Sequence, residues 1–409
     1  MIIDSLYCGN EIRIGNINNI YILTNQKKLM IFIGSLTSGG AERVAVSLSK
    51  YLSINNNYQV VLVTLDGYMS DFYTLHHTVK RIAMDMSGAT SGIGKYVKNL
   101  QRVLAFRRIV KKEKPDVVLG MITRHAVISI LACVLLPVKV VVSERNYPGK
   151  RKNHSIWEML REYTYRHADA HVVQTSKIAE WLRENTNSTN IHIIPNSISW
   201  PLGKVEPNLA PSDYVKNDEN IILAVGSFKE QKGFDLLIEA AAKFLKNYPK
   251  WKLVILGGPV DEEEKQKSDY LLRQYHSMIR KYHLKEQIIL PGKAGNVVDW
   301  YRRSDIFVLS SRYEGFPNVL LEAMASGTAC VAFDCDTGPS DLIKDGHNGI
   351  LVEESDIGNL SVSIQRLISD ADLRSELSKN ALEVREIYCE KIIMKEWYQI
   401  LTSDMQEKN

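Results

Sequence analysis

Two carboxylates, Glu314 and Glu322, bracket the stretch EGFPNVLLE in one of the most apolar parts of the chain. An ionised carboxylate only accepts hydrogen bonds, and its two oxygens match vicinal hydroxyls, so this pair suits a polyol such as a sugar or a ribose. Lys232 stands directly before Gly233 in GSFKEQKGFDLLIEA, at the expected start of a helix near Phe234. A cation is unfavourable at a helix N-terminus, where the partial charge is already positive; a diphosphate lying between them reverses that. In GSLTSGGAERV, Gly39 and Gly40 fall just before a helix, where backbone N–H groups can approach an anion. Asn318 reads as the N-cap of a helix that Gly327 closes, with the amides of Val319 and Leu320 free to hold phosphate. Each feature alone also has a plain structural reading: a helix-dipole glutamate worth under about 1 kcal/mol, a solvated loop acid, a surface lysine, a tight turn. No strand is followed by GxGxxG or GxxxxGK[ST], which weighs against a dinucleotide or NTPase site.

These residues need a scaffold of strands feeding loops and helices. Apolar runs such as MIFIG from Met30, QVVLVTL from Gln59 and VKVVVS from Val138 alternate with helical patterns, as in βαβ units with a parallel sheet covered on both faces. Periodicity stops at SISWPLGKVEPNLAPSDYVKNDEN and then restarts with IILAVG. The 409 residues are too many for one ordinary core. The expected organisation is a tail over 1–28, a first Rossmann-like domain over 29–197, a linker over 198–220, a second Rossmann-like domain over 221–385, and a C-terminal helix over 386–409 that could pack back on the first domain. The fold class is α/β: two doubly wound domains facing across a cleft, with ligands at the carboxyl ends of the strands.

Charge divides with the domains. Residues 1–206 hold 26 Lys and Arg against 15 Asp and Glu, while the remainder holds 25 against 32. A basic half can meet nucleic acid, an anionic membrane or phosphorylated ligands, and no nucleic-acid motif accompanies it. Its helix from Gly92 to Lys114 mixes Lys95, Lys98, Arg102, Arg107, Arg108, Lys111, Lys112 and Lys114 with apolar residues. That pattern fits an amphipathic surface helix or a membrane contact. Cys8, Cys133, Cys330, Cys335 and Cys389 are odd in number and irregular in spacing, which points to free thiols in a reducing compartment. The N-terminus lacks a signal-peptide pattern. The apolar window Ala126–Ser143 contains Pro137 and Lys139 and reads as a helix, turn and strand. The expected location is cytoplasmic, peripheral at the inner face of the cytoplasmic membrane.

Taken together, GGAERV, KGFDLLIEA, EGFPNVLLE followed by AMASG, and GPSDLI resemble glycosyltransferase family four, in order and over about residues 29–400. SERNYP and WLRENTNSTNIHIIPNSI look like its branch that adds hexoses or N-acetylhexosamines to polyprenyl-diphosphate-linked glycans. The resemblance implies the GT-B fold and retaining transfer, with a nucleotide sugar, expected to be a UDP-sugar, as donor and a polyprenyl-diphosphate-linked saccharide as acceptor. No metal or other cofactor is implied. It assigns Glu314 to the transferred sugar, Lys232 to the diphosphate and Glu322 to the ribose. Gly39, Gly40, Ser227, Gly292, Lys293, Phe316, Asn318, Val319 and Leu320 complete the expected donor set, and Glu144, Arg145 and Asn146 the acceptor set. Arg145 is also placed with the catalytic residues.

Two positions depart from the family pattern. Ser227 stands where an arginine is common, which removes a cation and leaves Lys229 as the candidate replacement. Arg145 stands where many members carry histidine; it can bind phosphate bidentately but is a poor proton shuttle. His125 does not match that motif. Asp334-Cys335-Asp336 resembles a metal-binding Asp-x-Asp but reads as a strand-end loop, since two carboxylates alone make a thin site. A nucleotide-sugar epimerase of the same fold and a non-catalytic nucleotide-sugar-binding subunit remain as alternatives.

Overall fold

The computed structural model describes residues 26–37, 39–55, 58–88, 94–150, 156–259 and 265–403. The expected tail up to residue 25, Cys8, the start of the basic helix at Gly92 and the chain beyond 403 lie outside them.

The first domain is built on strands Lys28–Ile33 (β1), Gln59–Thr64 (β2), Lys80–Ala83 (β3), Val117–Met121 (β4), Lys139–Ser143 (β5), Ala170–Val173 (β6) and Ile191–Ile193 (β7). Its helices are Gly40–Asn55 (α1), Gly94–Glu113 (α2), Thr123–Cys133 (α3), Ile156–Thr164 (α4) and Ser176–Thr186 (α5). All neighbouring strands are parallel, in the order β3-β2-β1-β4-β5-β6-β7. β1 shows why the sequence folds this way. Leu29, Ile31 and Ile33 enter one buried cluster and Met30 and Phe32 the other, so a continuous apolar run fills both faces of one sheet. The strand starts at Lys28, ahead of Met30, because Lys28 N–H reaches Asp116 Oδ2 at 2.6 Å and its Nζ the Glu113 carbonyl at 2.8 Å.

The second domain runs Asn220–Val225 (β8), Phe234–Ala242 (α6), Trp251–Leu256 (β9), Lys265–Lys281 (α7), Ile288–Gly292 (β10), Val297–Arg303 (α8), Ile306–Leu309 (β11), Asn318–Ala325 (α9), Ala329–Asp334 (β12), Pro339–Leu342 (α10) and Ile350–Glu353 (β13). Ile357–Ser369 (α11), Ala371–Ala381 (α12), Val384–Ile387 (α13) and Glu390–Thr402 (α14) follow. This sheet is parallel in the order β10-β9-β8-β11-β12-β13.

α14 does not stay with the second domain. Ile393, Met394, Trp397, Ile400 and Leu401 are buried with Leu29, Val44 and Leu48 of the first. Lys139 of β5 caps it, donating to the Ser403 carbonyl at 2.8 Å, as a cation at a helix C-terminus should. The chain crosses between domains twice at one place, where Ile198 N–H meets the Tyr388 carbonyl at 2.8 Å. The linker lies against the second domain: Leu209 exchanges hydrogen bonds with the Asn296 side chain, and Trp300 Nε1 donates to its carbonyl at 2.8 Å.

Candidate active site

The strand order reverses at β8 and β11, so the loops after these two strands face the crevice where doubly wound sheets bind ligands. The first loop ends in a short turn, Glu230–Lys232, and at Gly233, whose φ of +61° suits glycine. A Cβ on Gly233 would lie 2.0 Å from the Ser310 carbonyl, so only glycine lets the two loops touch. Arg312 stitches them further, with Nη1 and Nη2 on Asp235 at 3.0 and 2.5 Å and Nη1 on the Glu230 carbonyl at 2.6 Å. The result is a direct pair: Lys232 Nζ lies 2.6 Å from Glu314 Oε1, with side chains 15% and 7% exposed. Ser311 Oγ donates to the same oxygen at 2.7 Å. Oε2 of Glu314 has no partner among the described residues and is open to a hydroxyl.

α9 begins at Asn318, so Asn318 is its first helical residue and Pro317 its cap. The expected N-cap bond does not form. Instead Asn318 Oδ1 accepts from Asn196 Nδ2 of the first domain at 2.7 Å. The Leu320 amide is likewise committed, to the Pro317 carbonyl at 3.0 Å, and the Leu320 side chain is fully buried. The Val319 amide is left without an acceptor among the described residues and remains the candidate phosphate donor. Phe316 is a core ring facing Tyr388. Gly315 has a packing reason: a Cβ there would come 2.7 Å from the Arg145 carbonyl and 3.3 Å from Asn146 Cα, both in the first domain.

Glu322, one turn further, is held from two sides. Arg43 Nη1 of α1 lies 2.7 Å from Oε1, and Tyr301 OH donates to Oε2 at 3.3 Å. Arg43 and Tyr301 were not among the expected site residues. Arg43 lies inside the GGAERV motif, yet nothing in the sequence says that its side chain crosses to the other domain.

A cavity of about 350 Å³ lies between the domains. Gly39 closes it from the first, and Ser227, Lys232, Lys293 and Val319 line it from the second, together with Gly257, Gly258 and Pro259. The last three form a further glycine loop after β9 that reading strand by strand passed over. Gly39 contributes its Cα face rather than its amide, which donates to the Thr37 carbonyl at 2.8 Å. Gly40 opens α1, and a Cβ on it would meet Asn318 Nδ2 at 2.8 Å. Gly292 stands one residue outside the cavity, at φ +106° in β10. Lys229 lines a different cavity, of about 570 Å³, with Tyr270 and Tyr313. The second cation beside Ser227 is therefore Lys293.

In the first domain, Glu144 is corrected from ligand to support. It is 1% exposed, with Thr123 Oγ1 at 3.0 Å from both oxygens, Tyr165 OH at 2.9 Å and Arg161 Nη1 at 3.6 Å. Arg145 is the opposite case. It is 6% exposed, Nη2 donates to Asn196 Oδ1, and Nε and Nη1 have no partner among the described residues. Burial pulls its guanidinium down to about 9. An unpaired, buried cation is costly unless something supplies a counter-charge. Asn196 thus links Arg145 to Asn318 across the cleft. His125 is buried, its Nδ1–H donating to the Met121 carbonyl at 3.0 Å, and burial lowers it to about 3. It stays neutral.

Asp336 pairs with Lys177 of the first domain at 3.2 Å, and Cys335 is buried. Among the described residues no group of three or more His, Cys, Asp and Glu is placed to hold a metal ion. Lys114 falls just past the end of α2, and the basic residues within the helix separate. Arg102 is buried on the Met86 and Gly88 carbonyls, and Arg107 caps the Ala132 and Val134 carbonyls. The outer face carries Val97, Leu100 and Leu104, then Arg108 and Lys111. No helix of the described residues is long and apolar enough to cross a membrane.

Residues 208–384 match the family described as Glycosyl transferases group 1, and residues 38–199 match Glycosyltransferase Family 4. The chain is 30% identical to the amylovoran biosynthesis glycosyltransferase AmsD of Erwinia amylovora, over 91% of this chain and 99% of the relative. It is 25% identical to a Campylobacter jejuni N-acetyl-D-galactosaminyltransferase named for a diNAcBac-PP-undecaprenol glycan, over 91% and 98%. Among solved structures, sucrose-phosphate synthase from Thermosynechococcus elongatus superposes with a TM-score of 0.76 at 19% identity, covering 92% of this chain and 98% of that one. HepE of Anabaena, in complex with UDP and glucose, gives 0.74 at 16%, covering 93% and 100%.

Proposed function

The chain belongs to the group 1, family 4 glycosyltransferases, and from that premise we propose that it moves a hexose or N-acetylhexosamine from a UDP-sugar to a lipid-linked saccharide in cell-surface polysaccharide synthesis, with retention of configuration. GalNAc, GlcNAc, Gal and Glc are the candidate sugars. One observation carries the reading: the Lys232–Glu314 pair, with one carboxylate oxygen open, beside a cavity that the other domain closes. The Campylobacter relative's lipid-linked substrate supports the acceptor class.

In this account Glu314 Oε2 accepts a hydroxyl of the transferred sugar and Glu322 accepts from the ribose. The bond from the anomeric carbon to the diphosphate oxygen breaks while the acceptor hydroxyl oxygen bonds that carbon. The hydroxyl proton passes to the departing diphosphate, so no side-chain base is needed. Lys232, Lys293 and the Val319 amide offset the charge that builds on the diphosphate, which makes the reaction independent of a metal ion. Arg145, with two donors unpaired among the described residues, takes a phosphate oxygen of donor or acceptor. The outer face of α2, apolar then basic, rests on an anionic membrane that presents the acceptor; each basic residue there contributes about 1 kcal/mol.

The test is product analysis by mass. The protein is incubated with a panel of UDP-sugars, with and without polyprenyl-diphosphate saccharides in anionic vesicles, and with and without EDTA. One sugar should be transferred, only when acceptor is present, at a rate EDTA leaves unchanged. Isomerised UDP-sugar without acceptor would replace this reading with an epimerase.

A further inference from the structure

Glu322 and Arg43 belong to different domains, 279 positions apart, yet their side chains meet at 2.7 Å. Arg43 sits in the first turn of α1, immediately after the Gly39–Gly40 turn that closes the donor cavity. That turn is itself pressed on the start of α9, where Gly40 faces the Asn318 side chain. Glu322 is 15% exposed, and its other oxygen takes Tyr301 OH, a group wholly buried in the second domain. The carboxylate is therefore clamped by a neutral donor from its own domain and a cation from the opposite one.

A carboxylate offers about four lone-pair sites. Arg43 and Tyr301 occupy two, one on each oxygen, and leave two for the paired hydroxyls of a ribose. Burial weakens the Arg43 charge, but the adjacent Glu322 carboxylate more than compensates and the guanidinium stays firmly protonated. Tyr73 and Glu42 are the other titratable groups beside it. Resting on the assignment of Glu322 to the ribose, we propose that Arg43 is a positioning residue that orients Glu322 for the donor ribose from across the cleft, so that ribose recognition is complete only when the two domains are closed. An ion pair that served domain contact alone would show no interest in which hydroxyls the nucleotide carries.

The experiment is calorimetric binding of UDP, 2′-deoxy-UDP and 3′-deoxy-UDP to the full chain and to Arg43→Ala, Arg43→Lys, Glu322→Ala and the double variant. Losing an oriented charged hydrogen bond should cost about tenfold in UDP affinity for Arg43→Ala. The preference of the wild type for UDP over a deoxy analogue should shrink in the same variant, and Arg43→Lys should recover part of it. In the double variant, Arg43→Ala should add little to Glu322→Ala. If Arg43→Ala weakens all three nucleotides equally, or adds its full effect to Glu322→Ala, the inference is overturned while the ribose assignment stands. If Glu322→Ala leaves UDP affinity and the preference unchanged, the ribose assignment itself has failed.

Discussion

The two glutamates of one loop-helix are held in opposite ways. Glu314 is nearly buried, and the partners of its carboxylate among the described residues, Lys232 and Ser311, belong to its own domain. Glu322 is twice as exposed, and its closest partner is a guanidinium from the other domain. The same contrast divides the cations: Lys232 is paired, whereas Arg145, reaching in from the first domain, has two buried donors without acceptors among the described residues. The second domain thus holds its lysine–carboxylate pair by itself, whereas groups of the first domain reach across the cleft, Arg43 to Glu322 and Asn196 to Asn318. This difference suits a transferase, in which donor binding, closure and acceptor binding must be coupled.

The comparison can be broken at its strongest point. Glu314→Ala and Lys232→Ala should each lower kcat by about 10³-fold, the upper end of the range seen when a preorganised electrostatic group is removed. Circular dichroism of both should remain that of the wild type. Wild-type turnover in either variant would remove the second domain's claim to the chemistry.

Arg145 sharpens the contrast, because a paired lysine and an unpaired arginine should respond differently to removal. Arg145→Met takes away a buried charge that no group among the described residues neutralises, and should stabilise the fold by about 1 kcal/mol. Transfer should nevertheless fall by about 10²-fold. Thermal midpoint and kcat/KM of the same preparation check both halves. A lower midpoint would show that Arg145 is structural. Arg43→Ala comes next in size, with its tenfold loss of nucleotide affinity and its narrowed ribose preference.

A further contrast concerns acid, and it bears on stability rather than on transfer. Among the described residues both buried histidines, His125 and His171, lie in the first domain. Burial holds them neutral, down to about 3 and about 4, whereas unfolded imidazoles protonate near 6.5. Below that value the unfolded chain binds more protons, so stability is full above pH 6.5 and declines as pH falls toward 4. The slope is at most about 1.4 kcal/mol per pH unit for each imidazole. Melting between pH 7 and 5 should show this decline, and His125→Asn should flatten it by one proton's worth. An unchanged slope would contradict the assignment.

The fold was largely legible in the sequence, because strands buried on both faces announce themselves as apolar runs bounded by glycine loops. β3, β7 and β13 were not, since short strands such as KRIA and IHI carry too few apolar residues to stand out. At the site, type and spacing single out Glu314, Lys232 and Glu322, and their loops follow β8 and β11, where the strand order reverses. What stayed hidden was pairing between distant segments. Asn318 looks like a helix cap in sequence, but closure gives its side chain a better partner in Asn196. Glu144 looks like a ligand beside Arg145, yet Thr123, Tyr165 and Arg161 turn it inward. Arg43 lies in a quoted motif, and only the three-dimensional cleft shows what it touches.

The division of labour between the two glutamates is the central claim, and UDP, which has the ribose but no sugar to transfer, separates them directly. Calorimetric titration of UDP into Glu314→Ala and Glu322→Ala should give an affinity within about threefold of wild type for the first and about tenfold weaker for the second. Equal losses in the two variants, or a larger loss in Glu314→Ala, would contradict the account.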